Sequence, residues 1–383
     1  MTDRLTAQFA FLNVADGLKS VDRANVLMDG SRAENSAEHS WHLALWALVL
    51  GHGLPELDRA LAMLVLHDLP EVYCGDHPIH LIDNPDKVAQ AEAAAADRIF
   101  GHAPPDLAAP LRALWYEFEA GTTPAARLAK RLDHAQPLMQ VLMSPCPPAD
   151  HLDVVRDNLA TGRAARFRQE WPEFYTHAVD LLAGGPGTAG PDLRARLAFL
   201  AEADRLKSVT RATTLVDGSR CETSGEHSWH LALYALVLAD QAAPAVDIAR
   251  VMRMLILHDL VEIDVGDVPI HSADGKAHGS TQTQAAEAAA ADRLFGLLPV
   301  ATGTHLRALW EEFEAAESPD AVFAKSLDRV QPVMANLMSG GGTWITYQVT
   351  ATQLESRVGV KVARGAPALW PWVRAQAAPF FGT

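Results

Sequence analysis

The chain has 383 residues, 49% of them hydrophobic and 21% charged, so it can form two domains of ordinary size. Its formal net charge of −15 argues against nucleic acid and anionic membranes as partners, although a local basic pocket could still bind a small phosphate. The three cysteines are scattered, the first residues do not resemble a signal peptide, and no apolar run reaches the roughly 18 residues of a membrane span. We therefore expect a cytoplasmic protein without disulfides.

The first half of the chain is predicted to be helical throughout. Its helices are predicted at residues 40–50, 57–73, 87–100, 111–120, 124–133 and 163–182. Asn35 and Glu38 have the spacing of a capping box before the first helix, and Thr223 and Glu226 repeat it. The stretch 87–100 is rich in alanine, the best helix former. No stretch alternates convincingly as a strand does.

The second half of the chain repeats the first. Residues 37–45 recur as 225–233, and residues 92–101 recur as 287–296. A period of about 190 residues indicates duplicated domains rather than a solenoid, whose repeats run about 20–50 residues. The Gly- and Pro-rich residues 183–191 are predicted to form a flexible linker, so the first domain takes residues 1–182 and the second 192–383. The predicted fold class is all-α, with two tandem helical bundles.

Polar residues that match between the halves are the candidates for chemistry, because surface charges need not survive a duplication. The matched pairs are Arg23/Arg211, Arg32/Arg220, Glu34/Glu222, Glu38/Glu226, His39/His227, His42/His230, His67/His258, Asp68/Asp259, Glu71/Glu262, Asp76/Asp267, His80/His271 and Asp133/Asp328. An apolar run precedes each His-Asp pair, so the aspartate is expected to be partly buried. A buried carboxylate needs a cation, a hydrogen-bond network or a metal beside it.

Two histidines and two aspartates from three helices form an N2O2 set that suits a divalent cation. An isolated His-Asp pair is usually structural, and only the full spacing, present twice, indicates a metal. Glu71 follows His67 by one helical turn, which would place its carboxylate near the ion without making it a ligand. His42 and His230 lie one turn beyond the first histidine, where we expect a supporting or packing role.

The matched set resembles the HD-domain superfamily of metal-dependent phosphohydrolases, and within it the branch of the bacterial 5′-deoxynucleotidases and the human HD-domain-containing nucleotidase. The resemblance covers most of each half. The residues that carry it are Leu18-Lys19, Arg23, residues 32–39, His67-Asp68, Glu71, Gly75-Asp76 and residues 130–133, with Leu206-Lys207, Arg211, Arg220, His227, His258-Asp259, Glu262, Gly266-Asp267 and residues 325–328 in the second half.

The resemblance implies one divalent metal ion per half, which could be Mn, Co, Ni, Zn or Fe because such a set does not select strongly. The implied ligands are His39, His67, Asp68 and Asp133 in the first half and His227, His258, Asp259 and Asp328 in the second. Glu71, Asp76, Glu262 and Asp267 would handle protons and position the water or the leaving group. Arg23 and Arg211 would bind the substrate phosphate, and we expect help from Arg32, Arg220, His80 and His271.

The implied function is removal of phosphate from a small phosphate ester, with a (deoxy)nucleoside 5′-monophosphate as the expected substrate. The nucleotidases carry a Trp directly after the phosphate-binding Arg, where it helps to read the sugar, whereas this chain has Ala24 and Ala212. The resemblance therefore does not settle the sugar preference. Members of this branch commonly pair as homodimers, so we expect the two halves to form an internal pseudo-dimer, with further oligomerisation left open.

Three other functions remain open. A nucleoside triphosphatase of the same fold needs extra basic residues, which the regions of Lys87 and Lys276 could supply. A non-catalytic nucleotide-binding protein would be favoured by a lost ligand in one half, and neither half lacks one. A di-iron oxygenase needs further histidines, and of His77, His80 and His102 only His80 is matched in the second half.

Overall fold

The computed structural model describes residues 2–78, 84–272 and 280–382, and these ranges are mostly helical. The helices of the first half are α1 (Thr2–Ala15), α2 (Ser36–Leu50), α3 (Leu57–Leu66), α4 (Glu71–Cys74), α5 (Pro85–Phe100), α6 (Pro105–Ala120), α7 (Pro124–Leu142), α8 (Ala149–Ala160), α9 (Phe167–Glu170) and α10 (Pro172–Leu182). A 3₁₀ turn follows α1 at Asp16–Ser20 and another precedes α9 at Arg163–Arg166. One short antiparallel hairpin, β1 (Asp22–Val26) with β2 (Ala33–Asn35), precedes α2.

The second half repeats this order of elements. Its helices are α11 (Pro191–Ala203), α12 (Ser224–Val237), α13 (Ile248–Leu257), α14 (Glu262–Val265), α15 (Thr281–Phe295), α16 (Val300–Ala315), α17 (Pro319–Met338), α18 (Gly342–Thr346), α19 (Ala351–Leu354), α20 (Val360–Gly365) and α21 (Leu369–Phe381). The 3₁₀ turn Asp204–Ser208 follows α11, the turn Ala239–Gln241 follows α12, and a π-helical turn at Glu355–Gly359 joins α19 to α20. The antiparallel strands β3 (Thr210–Thr214) and β4 (Cys221–Thr223) precede α12. The predicted all-α class with a repeated helical domain is confirmed.

The helices α2 and α12 begin where the sequence predicts. The Asn35 side chain accepts a hydrogen bond from the Glu38 N–H at 3.0 Å, and the Glu38 carboxylate accepts one from the Asn35 N–H at 3.3 Å. Thr223 and Glu226 make the same reciprocal pair at 3.3 and 2.6 Å. Both capping boxes are confirmed, and each fixes the first turn of the helix that carries a candidate histidine.

The predicted helix over residues 57–73 is divided into α3 and α4. The N–H groups of Leu69 and Glu71 bond to carbonyls three residues earlier, which forms a tight turn at this point. The second half makes the same turn with Val261 where the first has Pro70, so the turn does not depend on a proline. The turn places the His-Asp pair at the end of a buried helix.

The two hairpins and a second helix break were also missed. The strands are five and three residues long, too short to show an alternating pattern. The predicted helix over residues 163–182 is interrupted at Trp171, whose backbone is extended (φ −152°) before Pro172. A residue that precedes proline is driven out of the helical region by the proline ring.

The two halves contact each other through equivalent helices. Helix α2 packs against α12, while α1 packs on α12 and α11 on α2. The indole N–H of Trp41 donates to the Ile256 carbonyl, and that of Trp229 donates to the Val65 carbonyl, both at 3.0 Å. Both tryptophans are fully buried. The paired carbonyls lie in the helices that end at the His-Asp pairs, so this contact also supports the candidate sites.

Residues 183–190 form no helix, and α11 begins at Pro191, the last residue of the predicted linker. This stretch is nevertheless held against α10 by hydrogen bonds. The backbone N–H of Gly187 donates to Asp180 at 2.8 Å, that of Ala189 to His177 at 3.1 Å and that of Gly190 to Glu173 at 2.9 Å. Among the described residues, no helix is both long and apolar enough to cross a membrane.

We predict that Trp41→Ala destabilises the whole chain, because it removes a buried indole and leaves the Ile256 carbonyl unpaired. The expected loss is about 3–5 kcal/mol in the free energy of unfolding. Trp41→Phe, which keeps an aromatic ring, should cost less. Urea unfolding followed by far-UV circular dichroism would measure both variants. Two separate transitions in the wild type, of which only one shifts in Trp41→Ala, would contradict the shared interface.

Candidate metal and phosphate sites

The first candidate site draws its side chains from three places in the fold. His39 lies in the first turns of α2, His67 and Asp68 in the turn after α3, and Asp133 in the middle of α7. His39 Nε2 lies 3.3 Å from Asp133 Oδ1, and His67 Nε2 lies 3.1 Å from Asp68 Oδ1 and 3.9 Å from Asp133 Oδ1. The structure therefore brings all four predicted ligands of the first half together, although they are separated by up to 94 residues.

The second half brings its four predicted ligands together in the same way. His227 Nε2 lies 3.3 Å from Asp328 Oδ1, and His258 Nε2 lies 3.0 Å from Asp259 Oδ1. Asp328 lies in the middle of α17, as Asp133 lies in the middle of α7. Potential ligand atoms of His39, His67 and Asp133 all lie within 4.8 Å of one another, as do those of His227, His258 and Asp259.

The orientation of His67 and His258 fits metal binding. The Nδ1 atom of His67 lies 2.8 Å from the Leu64 carbonyl, and that of His258 lies 2.8 Å from the Leu255 carbonyl. Only a protonated Nδ1 can donate to a carbonyl, so Nε2 carries the lone pair. Both Nε2 atoms are buried and have no hydrogen-bond partner among the described residues. Buried nitrogen lone pairs beside carboxylates form a donor set that fits a divalent cation.

The pKa values in the first half agree with such a donor set. Burial, followed by the positive charge of Arg23, lowers the pKa of His39, so this imidazole is neutral. Although burial opposes it, the contact with His39 at 3.3 Å helps to hold the pKa of Asp133 below its ordinary value. In the second half the pKa of His227 is instead raised: burial and Arg211 act to lower it, but Glu222 at 3.2 Å and Asp328 outweigh them.

Arg23 and Arg211 lie beside the predicted ligands because β1 and β3 pass next to the His-Asp turns. One guanidinium nitrogen of Arg23 donates to Asp68 at 3.1 Å, and the matching nitrogen of Arg211 donates to Asp259 at 2.7 Å. Both arginines are largely buried. A buried arginine next to the metal ligands could bind an anion that also reaches the metal.

Glu71 and Glu262 are held by serines whose role the sequence did not reveal. The Ser36 hydroxyl donates to Glu71 at 2.5 Å, and Ser224 donates to Glu262. Burial, followed by the charge of the neighbouring aspartate, raises the pKa of both glutamates well above its ordinary value. Each glutamate is thus a carboxyl group that can exchange a proton nearer neutral pH than usual. The serine recurs before each Glu-His pair, which was the available signal.

Asp76 and Asp267 lie at the other side of each arginine strand. Their carboxylates accept hydrogen bonds from the backbone N–H groups of Ala24 and Ala212, at 3.4 and 3.1 Å. Both residues line a cavity that also reaches Arg23 or Arg211. The structure therefore groups the four predicted proton-handling residues with the predicted ligands and arginines.

The structure does not bring Arg32 and Arg220 to these sites. Arg32 binds Glu38 through two hydrogen bonds of 2.8 and 2.6 Å and donates to the Lys207 carbonyl at 2.7 Å. Arg220 binds Glu226 in the same bidentate way and donates to the Lys19 carbonyl. Their guanidinium groups are thus used at the contact between the halves. The expectation that they bind substrate phosphate is corrected accordingly.

Of the two loop histidines predicted to contact substrate, His80 and His271, the structure describes only His271. His80 lies outside the described residues. His271 is buried, lines the cavity of the second half and lies 3.2 Å from Arg357. Burial, followed by the charge of Arg357, lowers its pKa to about 4, so it is neutral near pH 7. It is therefore placed to contact a ligand in that cavity as a neutral group.

The walls beyond the metal ligands differ between the halves. The first cavity, of about 400 Å³, is lined on its outer side by α8 residues that include His151 and Asn158. The second, of about 100 Å³, has Trp344 and Tyr347 in its wall and opens directly on His258 and Asp259. The ligand clusters have kept one geometry, whereas the surfaces available for the rest of a substrate have diverged.

A family model and several known proteins are similar to this chain. The family model described as HD domain matches residues 15–175 and 203–370. The human 5′-deoxynucleotidase HDDC2 is 29% identical over 147 residues, which is 38% of this chain and 69% of that protein. The Xenopus laevis 5′-deoxynucleotidase HDDC2 is 30% identical over 156 residues, 40% of this chain and 73% of that protein.

Two further matches extend the comparison. The 5′-deoxynucleotidase hdd1 of Schizosaccharomyces pombe is 24% identical over 136 residues, 35% of this chain and 67% of that protein. The crystal structure of a predicted metal-dependent phosphohydrolase from Magnetospirillum magnetotacticum MS-1 shares 41% identity, with a TM-score of 0.46, over 50% of this chain and 96% of that one. Because the family model matches most of its length in two copies, this chain belongs to the HD-domain family of phosphohydrolases and carries the domain twice.

Proposed function

We propose that each half of the chain hydrolyses a nucleoside 5′-monophosphate to a nucleoside and inorganic phosphate. The observation that carries this proposal is the duplicated cluster, in which two His, two Asp and a buried Arg meet in the same arrangement twice. The 5′-deoxynucleotidases among the relatives support the choice of substrate. The residues directly after Arg23 and Arg211 are Ala24 and Ala212, whose methyl side chains cannot hydrogen-bond to the sugar. We therefore propose no preference between ribose and deoxyribose.

We propose that His39, His67, Asp68 and Asp133 hold one divalent ion, and His227, His258, Asp259 and Asp328 a second. A bound ion would supply Lewis acidity at the phosphate and would make a water molecule easier to deprotonate. Mn, Co, Ni, Zn and Fe all suit two imidazoles and two carboxylates, so the identity of the ion depends on availability as well as on the ligands.

The remaining roles follow from the side chains around the ligands. Arg23 turns a guanidinium edge toward the site and binds the phosphate oxygens of the substrate. Glu71, kept in place by Ser36, accepts the proton of the attacking water as the oxygen approaches phosphorus. Asp76 lies beside Arg23 and positions the leaving group, and the proton that Glu71 took from the water passes to the leaving oxygen as the P–O bond breaks. Arg211, Glu262, Ser224 and Asp267 act in the same way in the second half.

We further propose that the halves, with boundaries at residues 1–182 and 192–383, form an internal pseudo-dimer in the cytoplasm. The reciprocal hydrogen bonds of Trp41 and Trp229 support an approximately two-fold relation between them. The three cysteines are free thiols, as expected in a reducing compartment. Pairing of whole chains would need a further surface. The molecular mass of the purified protein in solution would show whether such pairing occurs.

We predict that removal of metal by a chelator abolishes phosphate release and that Mn²⁺ or Co²⁺ restores it. Asp68→Ala should silence the first site and leave the second, whereas Asp68→Ala with Asp259→Ala should lower turnover by at least about 10³-fold. Asp97→Ala, an exposed aspartate outside the site, serves as the control. Release of phosphate from nucleoside mono-, di- and triphosphates would be measured. The proposal fails if no metal-loaded sample releases phosphate from any monophosphate.

The pH dependence should report Glu71 when the second site is silenced by Asp259→Ala. A general base must be deprotonated, and burial raises the pKa of this carboxyl, so kcat/KM should rise with pH. The rise should be centred above the roughly 4.3 of an ordinary glutamate. Glu71→Gln should lower the rate and remove the rise. A rate that instead falls with pH through the same group would show that Glu71 acts as the acid.

The divergent cavity walls predict different substrate profiles for the two sites. Asp68→Ala and Asp259→Ala variants would each be assayed on purine and pyrimidine 5′-monophosphates, ribo and deoxy. The second site, with the smaller cavity, should discriminate more strongly against the larger purine bases. Trp344→Ala should relax that discrimination only in the Asp68→Ala background. Identical profiles for the two sites would contradict this reading while leaving the hydrolase function intact.

A further inference from the structure

Two lysines are buried at the contact between the halves, in the 3₁₀ turns that follow α1 and α11. Lys19 and Lys207 have side chains with no exposed surface. A fully buried lysine is rare unless its charge is compensated, because the ammonium group loses its hydration. The groups that compensate these two charges show what the lysines do.

The ammonium group of Lys207 contacts the first half of the chain. It donates to Glu34 at 2.6 Å and to His42 Nδ1 at 3.1 Å, and its third partner is Asp204 in its own turn. The trio Glu34, His42 and Asp204 has the composition of a metal site. In this structure the lysine nitrogen lies within hydrogen-bond distance of all three, so the trio is a lysine site.

Lys19 makes the reciprocal contacts in the second half. Its ammonium group lies 3.0 Å from Glu222, 3.2 Å from His230 Nδ1 and 2.5 Å from Asp16 in its own turn. The other ring nitrogen of each histidine faces a carbonyl of the lysine's half: His42 the Leu200 carbonyl at 2.9 Å, and His230 the Leu12 carbonyl at 3.1 Å. His42 and His230 are therefore neutral acceptors for the lysine that arrives from the other half.

The two glutamates connect these lysines to the candidate metal sites. The second oxygen of Glu34 lies 3.7 Å from His39 Nδ1 and 3.7 Å from Arg23 Nε, which is ion-pair distance rather than hydrogen-bond distance. That of Glu222 lies 3.2 Å from His227 Nδ1, which also lies 3.1 Å from Gln331 Oε1, and 3.5 Å from Arg211 Nε. A carboxylate at the far nitrogen of a ligand histidine fixes its tautomer and ring orientation. Each glutamate therefore faces both a ligand and the phosphate-binding arginine.

We propose that each lysine is a positioning residue for the metal site of the opposite half: Lys207 for the site of His39, and Lys19 for the site of His227. The ammonium group holds the buried glutamate in place through its hydrogen bond, and the glutamate orients the histidine and the arginine. Neither site is complete without the other half of the chain. This inference depends on the proposed metal function.

The experiment measures Co²⁺ binding to metal-free protein, separately at each site, by titration calorimetry. With the second site silenced by Asp259→Ala, Lys207→Met should weaken Co²⁺ binding by about 10–100-fold. Lys19→Met should leave it unchanged within about 2-fold. With the first site silenced by Asp68→Ala, Lys19→Met should weaken Co²⁺ binding by about 10–100-fold, and Lys207→Met should leave it unchanged within about 2-fold. A lysine that only supported the general fold would weaken both sites, or the site of its own half.

A second pair of variants keeps the test valid if Lys207→Met folds poorly. Glu34→Gln removes the charge that the lysine compensates. In the Glu34→Gln background, Lys207→Met should therefore weaken Co²⁺ binding by less than about 3-fold. Such non-additive effects are expected if Lys207 acts on the metal site through Glu34. Equal losses in both backgrounds, or losses that do not cross between the halves, would overturn the inference. Absence of Co²⁺ binding to the unmodified protein would instead overturn the proposed metal function.

Discussion

Burial of charge between the two halves is the constraint on which the sites depend. Glu34 and Glu222 have no exposed surface, and each has its closest cation in a lysine from the other half. Taking a carboxylate out of water costs several kcal/mol even after relaxation, and removal of its partner leaves that cost uncompensated. The first half alone would keep Lys19 without Glu222 and Glu34 without Lys207. The halves therefore need each other for electrostatic reasons, in addition to the apolar contact between α2 and α12.

The same constraint orders the local structure around each site. The hairpin that carries Arg23 ends at Asn35, the capping residue of α2, and the cap fixes the turn from which His39 projects. The Asn35 side chain also donates to Glu226 at 2.6 Å, and Thr223 donates to Glu38 at 2.9 Å. Each helix cap is thus partly built by the other half. A change in how the halves pack would move the histidines through these caps.

Sequence patterns predicted the parts of the sites that are encoded locally or repeated. The capping boxes had signals in a single half, whereas the grouping of Asp133 with the His-Asp pairs came from the match between the halves and from the family resemblance. The partner of Glu34 had no such signal, because it lies 173 residues away and an equivalent lysine, Lys19, is much nearer in the chain. In a duplicated chain, the sequence does not distinguish a contact within one half from its exchanged equivalent. Only the three-dimensional packing shows that the exchanged contact is made.

For Arg32 the sequence predicted a contact with substrate that the structure does not support. Its guanidinium fork suits a phosphate, but the fork suits a carboxylate equally, and Glu38 lies six residues away in the same half. The structure resolves the choice because Glu38 is fully buried and needs a cation, whereas a substrate phosphate would have to compete with it. The general point is that a buried carboxylate near the N-terminus of a helix takes the nearest arginine, and residue type alone does not assign that arginine to a substrate.

The distribution of conserved and changed features between the halves has a physical explanation. The lysine turns, the hairpins, α2 and α12 take part in the contact between halves, so a change in one of them disturbs both sites. The cavity walls come instead from α8, and from α18 with the residues around it, which pack on α7 and α17 respectively. A substitution there alters one cavity and leaves the shared charge network intact. A fused pair can therefore keep two matching His/Asp clusters while each half acquires its own cavity wall, a separation that two identical chains in a homodimer could not achieve.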